Sequence, residues 1–164
     1  MTITQQELKA ILRYDEATGI FYWISKVNRK VVAGSKAGCM TKKGYIMIGV
    51  NHEQHFAHRL AWLYVHGELP KMFLDHINGE KSDNRICNLR PADHSLNNQN
   101  QRAAQPTNKS SGLLGCYFVK AKGKYKAQIH HSGKSSHIGY FKNAEEAHQA
   151  YLIAKRELHR GCTI

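Results

Sequence analysis

Residues 57–100 read AHRLAWLYVHGELPKMFLDHINGEKSDNRICNLRPADHSLNNQN, and the fold is decided inside this stretch. Its first ten residues carry apolar side chains at helical spacing through Leu60, Ala61 and Tyr64, and Gly67 stands where such a helix stops. Asp75 and His76 follow as an adjacent carboxylate and imidazole, with Asn88 twelve residues beyond His76 and Asn97 nine beyond Asn88. A hard carboxylate oxygen, a base that can be neutral at cellular pH and two carboxamides are the groups needed to cut a phosphodiester with one metal ion.

Working outward, residues 94–105 read as a further helix, with Asp93 as its N-cap and Pro106 beyond its end. Upstream, Thr4 with Glu7 fits a capping box, and Leu8, Ile11 and Leu12 lie at helical spacing before turn residues 15–19. Residues 20–24 are rich in aromatic and β-branched side chains, and residues 45–50 alternate Ile46, Ile48 and Val50 against the opposite face after a KKG turn, so both read as strands. Lys42, Lys43 and Arg59 are candidate phosphate contacts; for the two lysines a solvated hairpin tip is an equal alternative.

Between residues 100 and 112 the chain, QRAAQPTNKSSG, loses all periodicity and reads as a linker. Beyond it come three short runs separated by Lys122-Gly123 and Ser132-Gly133, both tight-turn dipeptides. Tyr125, Ala127 and Ile129 alternate with Lys126, Gln128 and His130, the pattern of a sheet packed on one side only. Asn143 with Glu146 opens a helix whose apolar stripe runs through Ala147, Ala150, Tyr151, Ala154 and Leu158, with Gly161 as its stop. The expected class is α+β: a mixed N-terminal domain over 1–100 with its core at 57–100, a helix end and linker at 101–111, and a three-stranded antiparallel sheet on one helix over 112–164.

The 164 residues hold 24 Lys and Arg against 12 Asp and Glu, a net charge of +12. Residues 1–100 carry 13 basic and 9 acidic side chains (+4) and residues 101–164 carry 11 and 3 (+8), so a polyanion is the expected partner and the C-terminal part its stronger grip. A merely soluble basic protein is the alternative on charge alone. Cys39, Cys87, Cys116 and Cys162 form no C-x-x-C pair, so no structural zinc and no redox motif is expected. Without a signal peptide or a long apolar run, a soluble, intracellular chain with no membrane partner is expected.

The pieces HRLAW, LDHINGEKSDN, NLR and LNNQN occur in the order that resembles the HNH nuclease family in its homing-endonuclease branch, where a ββα-metal core holds the site. The resemblance implies that Asp75 coordinates the cation, Mg²⁺ or Mn²⁺, one ion per site, and that His76 is the general base. His76 as a strand-end surface or metal residue is the alternative. It also implies that Asn88 braces the loop and that Asn97 gives a second oxygen to the ion, with Asn98 and Asn100 as rivals. Neighbours on a strand face opposite ways, so a twist or bulge is expected to bring Asp75 and His76 to one pocket. Asn84 is expected to support the turn, Arg85 to clamp a phosphate or else point to solvent, Arg59 to touch the backbone, and His58 to be structural.

GCYFVKAKGKYKAQIHHSGKSSHIGYFKNAEEAHQAYLIAKRELH, best preserved at GKYKAQI, HIGYF and NAEEAHQAY, resembles the Apetala-2/ethylene-response-factor DNA-binding domain, which lays its sheet in the major groove. The two resemblances span roughly residues 57–160, an arrangement seen in phage-type homing endonucleases, and so imply cytoplasm of a bacterial host. The face expected to meet duplex DNA carries Tyr117, Val119 and Lys120 on the first strand, Lys126, Gln128 and His130 on the second, and Ser135 and His137 on the third. Lys120, Lys122, Lys124 and Lys126 read equally as a phosphate stripe. The base-reading arginines of the plant domains fall here on Leu114, Tyr117, Val119, His130 and Ser135, so their target does not transfer.

The expectation is a metal-dependent HNH endonuclease acting on double-stranded DNA as a monomer or homodimer, a lone site nicking one strand per visit. A DNA-binding regulator with an inert nuclease half, and a nonspecific nuclease, are the alternatives.

Overall fold

A computed structural model of the chain describes residues 3–26, 29 and 31–164. The chain divides into two compact units, Met1–Asp93 and His94–Ile164, each with its own core.

The first unit opens with α1 (Gln5–Ile11), where the Thr4 hydroxyl accepts from the Glu7 amide and the Glu7 carboxylate accepts from the Thr4 amide, the full capping box. Leu12 does not continue that helix. It is fully buried and begins β1 (Leu12–Asp15), which pairs antiparallel with β2 (Ile20–Trp23), because Leu12, Tyr14, Phe21 and Trp23 alternate into one core. The β1–β2 turn ends at Gly19 with φ +72°, where a Cβ would lie 2.4 Å from the Arg85 amide nitrogen, so only glycine lets this hairpin sit against the backbone of residues 84–85.

A three-stranded antiparallel sheet follows, β3 (Cys39–Met40), β4 (Ile46–Val50) and β5 (Glu53–Phe56), with β4 central. Its β3–β4 turn is closed by Gly44, which donates to the Thr41 carbonyl at 2.9 Å, and by the Tyr45 amide on the Thr41 hydroxyl at 3.1 Å. From β5 the chain passes into α2 (Ala57–His66), which buries Leu60, Ala61 and Leu63 against Leu8, Phe21 and Ile48 and stops at Gly67 in left-handed conformation. Last in the unit come β6 (Phe73–His76) and β7 (Leu89–Ala92), an antiparallel pair in unbroken register. The loop between them ends in a 3-10 turn at Ile86–Asn88.

The second unit begins with α3 (His94–Gln99), six residues long. The helix expected to reach residue 105 stops there: it has no apolar stripe, and Asn100 and Gln101 are held instead by Thr163, whose hydroxyl donates to Asn100 Oδ1 at 2.9 Å, and by the Lys155 ammonium on the Gln101 carbonyl. Strands β8 (Cys116–Val119), β9 (Lys124–His131) and β10 (Lys134–Phe141) form an antiparallel sheet with β9 central, and α4 (Ala144–Leu158) packs on it through Ala147 and Tyr151 against Cys116, Ala127 and Ile129.

Ser132 and Gly133 both have positive φ, 51° and 77°, the two-residue turn that suits a twisted hairpin. Lys122-Gly123 is not such a turn. Lys120–Lys122 form a 3-10 turn capped by Gly123, so Lys120 lies in the turn and not on the first strand. The final helix ends at Leu158, earlier than Gly161, because His159 turns extended and brings its Nε2 to the His130 carbonyl at 2.9 Å. No helix among the described residues is long and apolar enough to cross a membrane.

Candidate active site

At the end of β6 both Asp75 and His76 are buried, at 6% and 5% exposure, although the register Asp75 with Arg90 and His76 with Leu89 contains no bulge. The bulge, one of the two ways expected to bring them together, is absent, and each is buried by its own partners. Arg90, directly across the ladder, donates to Asp75 Oδ2 from Nε at 3.0 Å and from Nη2 at 2.7 Å. An ion pair this enclosed needs both members, since a single buried charge would be costly. Arg90 escaped the sequence reading, yet the hairpin register alone places it opposite Asp75.

The imidazole of His76 meets a different set of groups. Its Nε2 lies 3.4 Å from Asn84 Oδ1, its ring centroid is 5.0 Å from His58 and 6.0 Å from Tyr45, and Phe56 stacks on His58 at 5.3 Å. Burial holds His76 below the ordinary imidazole range, outweighing the Asn84 hydrogen bond and the carboxylates of Asp75, Asp83 and Glu80, which all raise it. His58 is pushed down to about 3 by burial first, and then by His76 and Arg59. Both rings are therefore neutral at cellular pH, the protonation a base requires.

Asn88 sits across the loop between β6 and β7. Its Oδ1 accepts from the Asn78 amide at 2.9 Å and its Nδ2 donates to the Asp83 carbonyl at 2.9 Å, spanning the loop from both sides. Asn84, expected only to support the turn, donates to the Ser82 carbonyl at 3.0 Å and also reaches His76. Behind it the Tyr14 hydroxyl donates to the Asn84 carbonyl at 2.7 Å, in a site whose burial pushes that phenol up to about 12. Arg85 is engaged in a two-pronged pair with Asp83, Nε to Oδ1 at 2.8 Å and Nη2 to Oδ2 at 2.6 Å. Arg59, half-buried on α2, points Nη2 at the Pro70 carbonyl at 3.5 Å.

In the second unit, Asn97 and Asn98 are exposed on α3, while Asn100 is buried and its side-chain oxygen is taken by Thr163. The outward face of the sheet brings together the residues that sequence alternation selects. Tyr117 stands opposite Lys126, Gln128 opposite His137 and His130 opposite Ser135. Tyr117 donates to Gln128 Oε1 at 3.4 Å, His130 Nδ1 lies 3.3 Å from the Ser135 hydroxyl, and the Lys126 ammonium sits 5.9 Å above the Tyr117 ring. Tyr140 joins them unforeseen, because a register shift between His137 and Gly139 returns it to this face beside Lys126. Lys122 reaches over its ring at 3.9 Å, and His137 packs against it at 4.7 Å.

No curated protein and no solved structure matches the chain. Residues 55–99, which hold β5 from His55 onward, α2, the β6–β7 hairpin with Asp75, His76 and Asn88, and the whole of α3, match the family model described as HNH endonuclease, and this segment is accordingly similar to an HNH nuclease domain.

Proposed function

We propose that the chain is a metal-dependent DNA endonuclease of the homing type, hydrolysing phosphodiester bonds in duplex DNA, with the outward sheet face of the second unit aiding recognition. The observation that carries this reading is the buried His76 held by Asn84 at the end of β6, within the HNH-like segment. HNH nucleases generally use a divalent metal ion. The donor chemistry of the Asp75 carboxylate fits a hard one such as Mg²⁺ or Mn²⁺, and Asn97 stands as a further oxygen donor on the family resemblance alone.

Among the described residues no cluster of three or more His, Cys, Asp or Glu could hold a metal, so most of the coordination falls to water and DNA oxygens. When bound, the ion supplies positive charge at the phosphate and departing oxygen. The chain's own part is distinct. His76 accepts the proton of the attacking water, Asn84 fixes the imidazole plane, and Asn88 holds the loop on which both depend.

Incubating supercoiled DNA with Mg²⁺ or Mn²⁺ tests the proposal. Wild type is expected to nick it, and His76→Ala or Asn97→Ala to be slower by roughly a hundredfold or more. Equal cutting by all three refutes the roles of His76 and Asn97. One observation favours a second reading, a DNA-binding regulator whose nuclease half is inert: Arg90 already neutralises Asp75. Tight metal-independent DNA binding without strand scission supports that reading and refutes the first.

A further inference from the structure

One ammonium, that of Lys81, is held over the Tyr45 ring that packs on His76, and the turn it leans on carries two further lysines from outside the family-matched segment. The β3–β4 turn carries Lys42 and Lys43, both exposed, and leans on the β6–β7 loop where Lys81 sits. Lys81 Nζ donates to the Lys43 carbonyl at 3.3 Å and lies 5.1 Å above the Tyr45 ring. A Cβ placed on Gly44 would stand 3.9 Å from Lys81 Cβ and Cδ, ordinary contact distance, so turn and loop touch along the lysine stem. Tyr45 is the common floor. One contact of its ring is the Lys81 ammonium, another is His76 at 6.0 Å, and Phe56 and His58 back it at 5.3 and 5.6 Å.

The charges around this floor are not equivalent. Arg85 is neutralised by Asp83 and Arg90 by Asp75, whereas among the described residues no carboxylate pairs with Lys42, Lys43 or Lys81. Holding an exposed ammonium on a carbonyl and an aromatic face restricts a side chain that would otherwise sweep through solvent, and neither anchor cancels its charge. A held cation with no ion-pair partner among the described residues suits an anion that must be placed, and the turn bonds of Gly44 and Tyr45 fix the backbone that carries Lys42 and Lys43.

We infer that Lys42, Lys43 and Lys81 form a phosphate clamp that seats the DNA backbone against the Tyr45 floor beside His76. This deepens the nuclease reading and rests on it for the identity of the polyanion. The hairpin supplying two of the cations lies before the family-matched segment, so the clamp is an addition of this chain's N-terminal part to the catalytic segment.

The test is the salt dependence of duplex binding by the full chain in metal-free buffer, followed by fluorescence anisotropy. Each phosphate contact removed lowers the slope of log K against log salt by about 0.9. Lys81→Ala is expected to lose about one such step and Lys42→Ala with Lys43→Ala about two. Lys9→Ala, an exposed lysine elsewhere in the first unit, is expected to leave the slope at the wild-type value. Slopes unchanged in the clamp variants overturn the inference, and so does an equal drop for Lys9→Ala, which would reduce the effect to net charge. Because no metal and no cleavage enter the measurement, a wild type that binds with the expected slopes yet never cuts refutes the nuclease reading and leaves the clamp standing.

Discussion

Asn84 tells His76 which of its nitrogens carries the hydrogen. The Asn84 Nδ2 donates to the Ser82 carbonyl, which can only accept, so the atom left facing His76 Nε2 at 3.4 Å is the amide oxygen. In the neutral ring Nε2 is then the donor and Nδ1 the basic nitrogen. Nitrogen-15 NMR of the imidazole at pH 8 is expected to show the Nε2-protonated tautomer in the wild type and a tautomer mixture in Asn84→Ala. Cleavage by Asn84→Ala is expected to fall by roughly tenfold to a hundredfold, and Asn84→Asp, which keeps an acceptor, to hold the tautomer.

Arg90 and Asp75 are expected to behave as a unit. Arg90→Met strands a buried carboxylate and is expected to cost about 3 kcal/mol in urea denaturation. The same change releases Oδ2, so calorimetry is expected to show tighter Mn²⁺ binding by the variant. Unaltered metal affinity would argue that Asp75 serves only as a strand-end ion pair.

Stability is expected to fall as the solution is acidified from pH 6.5 towards 3. In the unfolded chain His58 protonates near 6.5, but in the folded unit burial holds it down to about 3. Between those values the unfolded state binds the extra proton, so the stabilisation present above 6.5 drains away at up to about 1.4 kcal/mol per pH unit. His58→Phe keeps an aromatic ring against Phe56 and Tyr45 and is expected to flatten the slope of urea-derived stability against pH.

Two backbone positions in the second unit are expected to respond in opposite senses. Ser132 occupies a left-handed conformation, φ 51°, ahead of Gly133, and Ser132→Asn is expected to raise stability by about 0.5 kcal/mol, seen as a higher Tm.

Gly161→Ala, by contrast, puts a Cβ 2.7 Å from the Leu96 carbonyl oxygen and 3.0 Å from Gln99 Cβ. It is expected to cost about 1–3 kcal/mol and to speed hydrogen exchange at α3, because the tail from His159 onward is what α3 packs against.

The parts of this structure visible in the sequence are those with a local signal. Thr4 with Glu7 announces α1, Gly67 the end of α2, Ser132-Gly133 the hairpin, and the alternation around Ala127 the two faces of β9. Asn88 is offered by the HNH resemblance and not by any local pattern, and its carboxamide has both a donor and an acceptor to spend across a loop. What stays hidden depends on distant partners. Leu12 looks helical until β2 claims it, α3 looks longer until Thr163 and Lys155 capture its end, and Tyr45 gains meaning only when the β3–β4 turn meets Lys81. Tyr140 is hidden for a subtler reason, since the register shift at residues 137–139 breaks the period of two by which a face is read.

The strict division of labour along β9 has an evolutionary consequence. Ala127 and Ile129 hold the unit on α4, while Lys126, Gln128 and His130 stand on the opposite face beside Tyr117, His137 and Ser135. Side chains on that face can be exchanged one at a time without the core registering the change. A lineage carrying this unit can therefore change the chemistry of that face through folded intermediates, with adaptation confined to a surface that stability does not police.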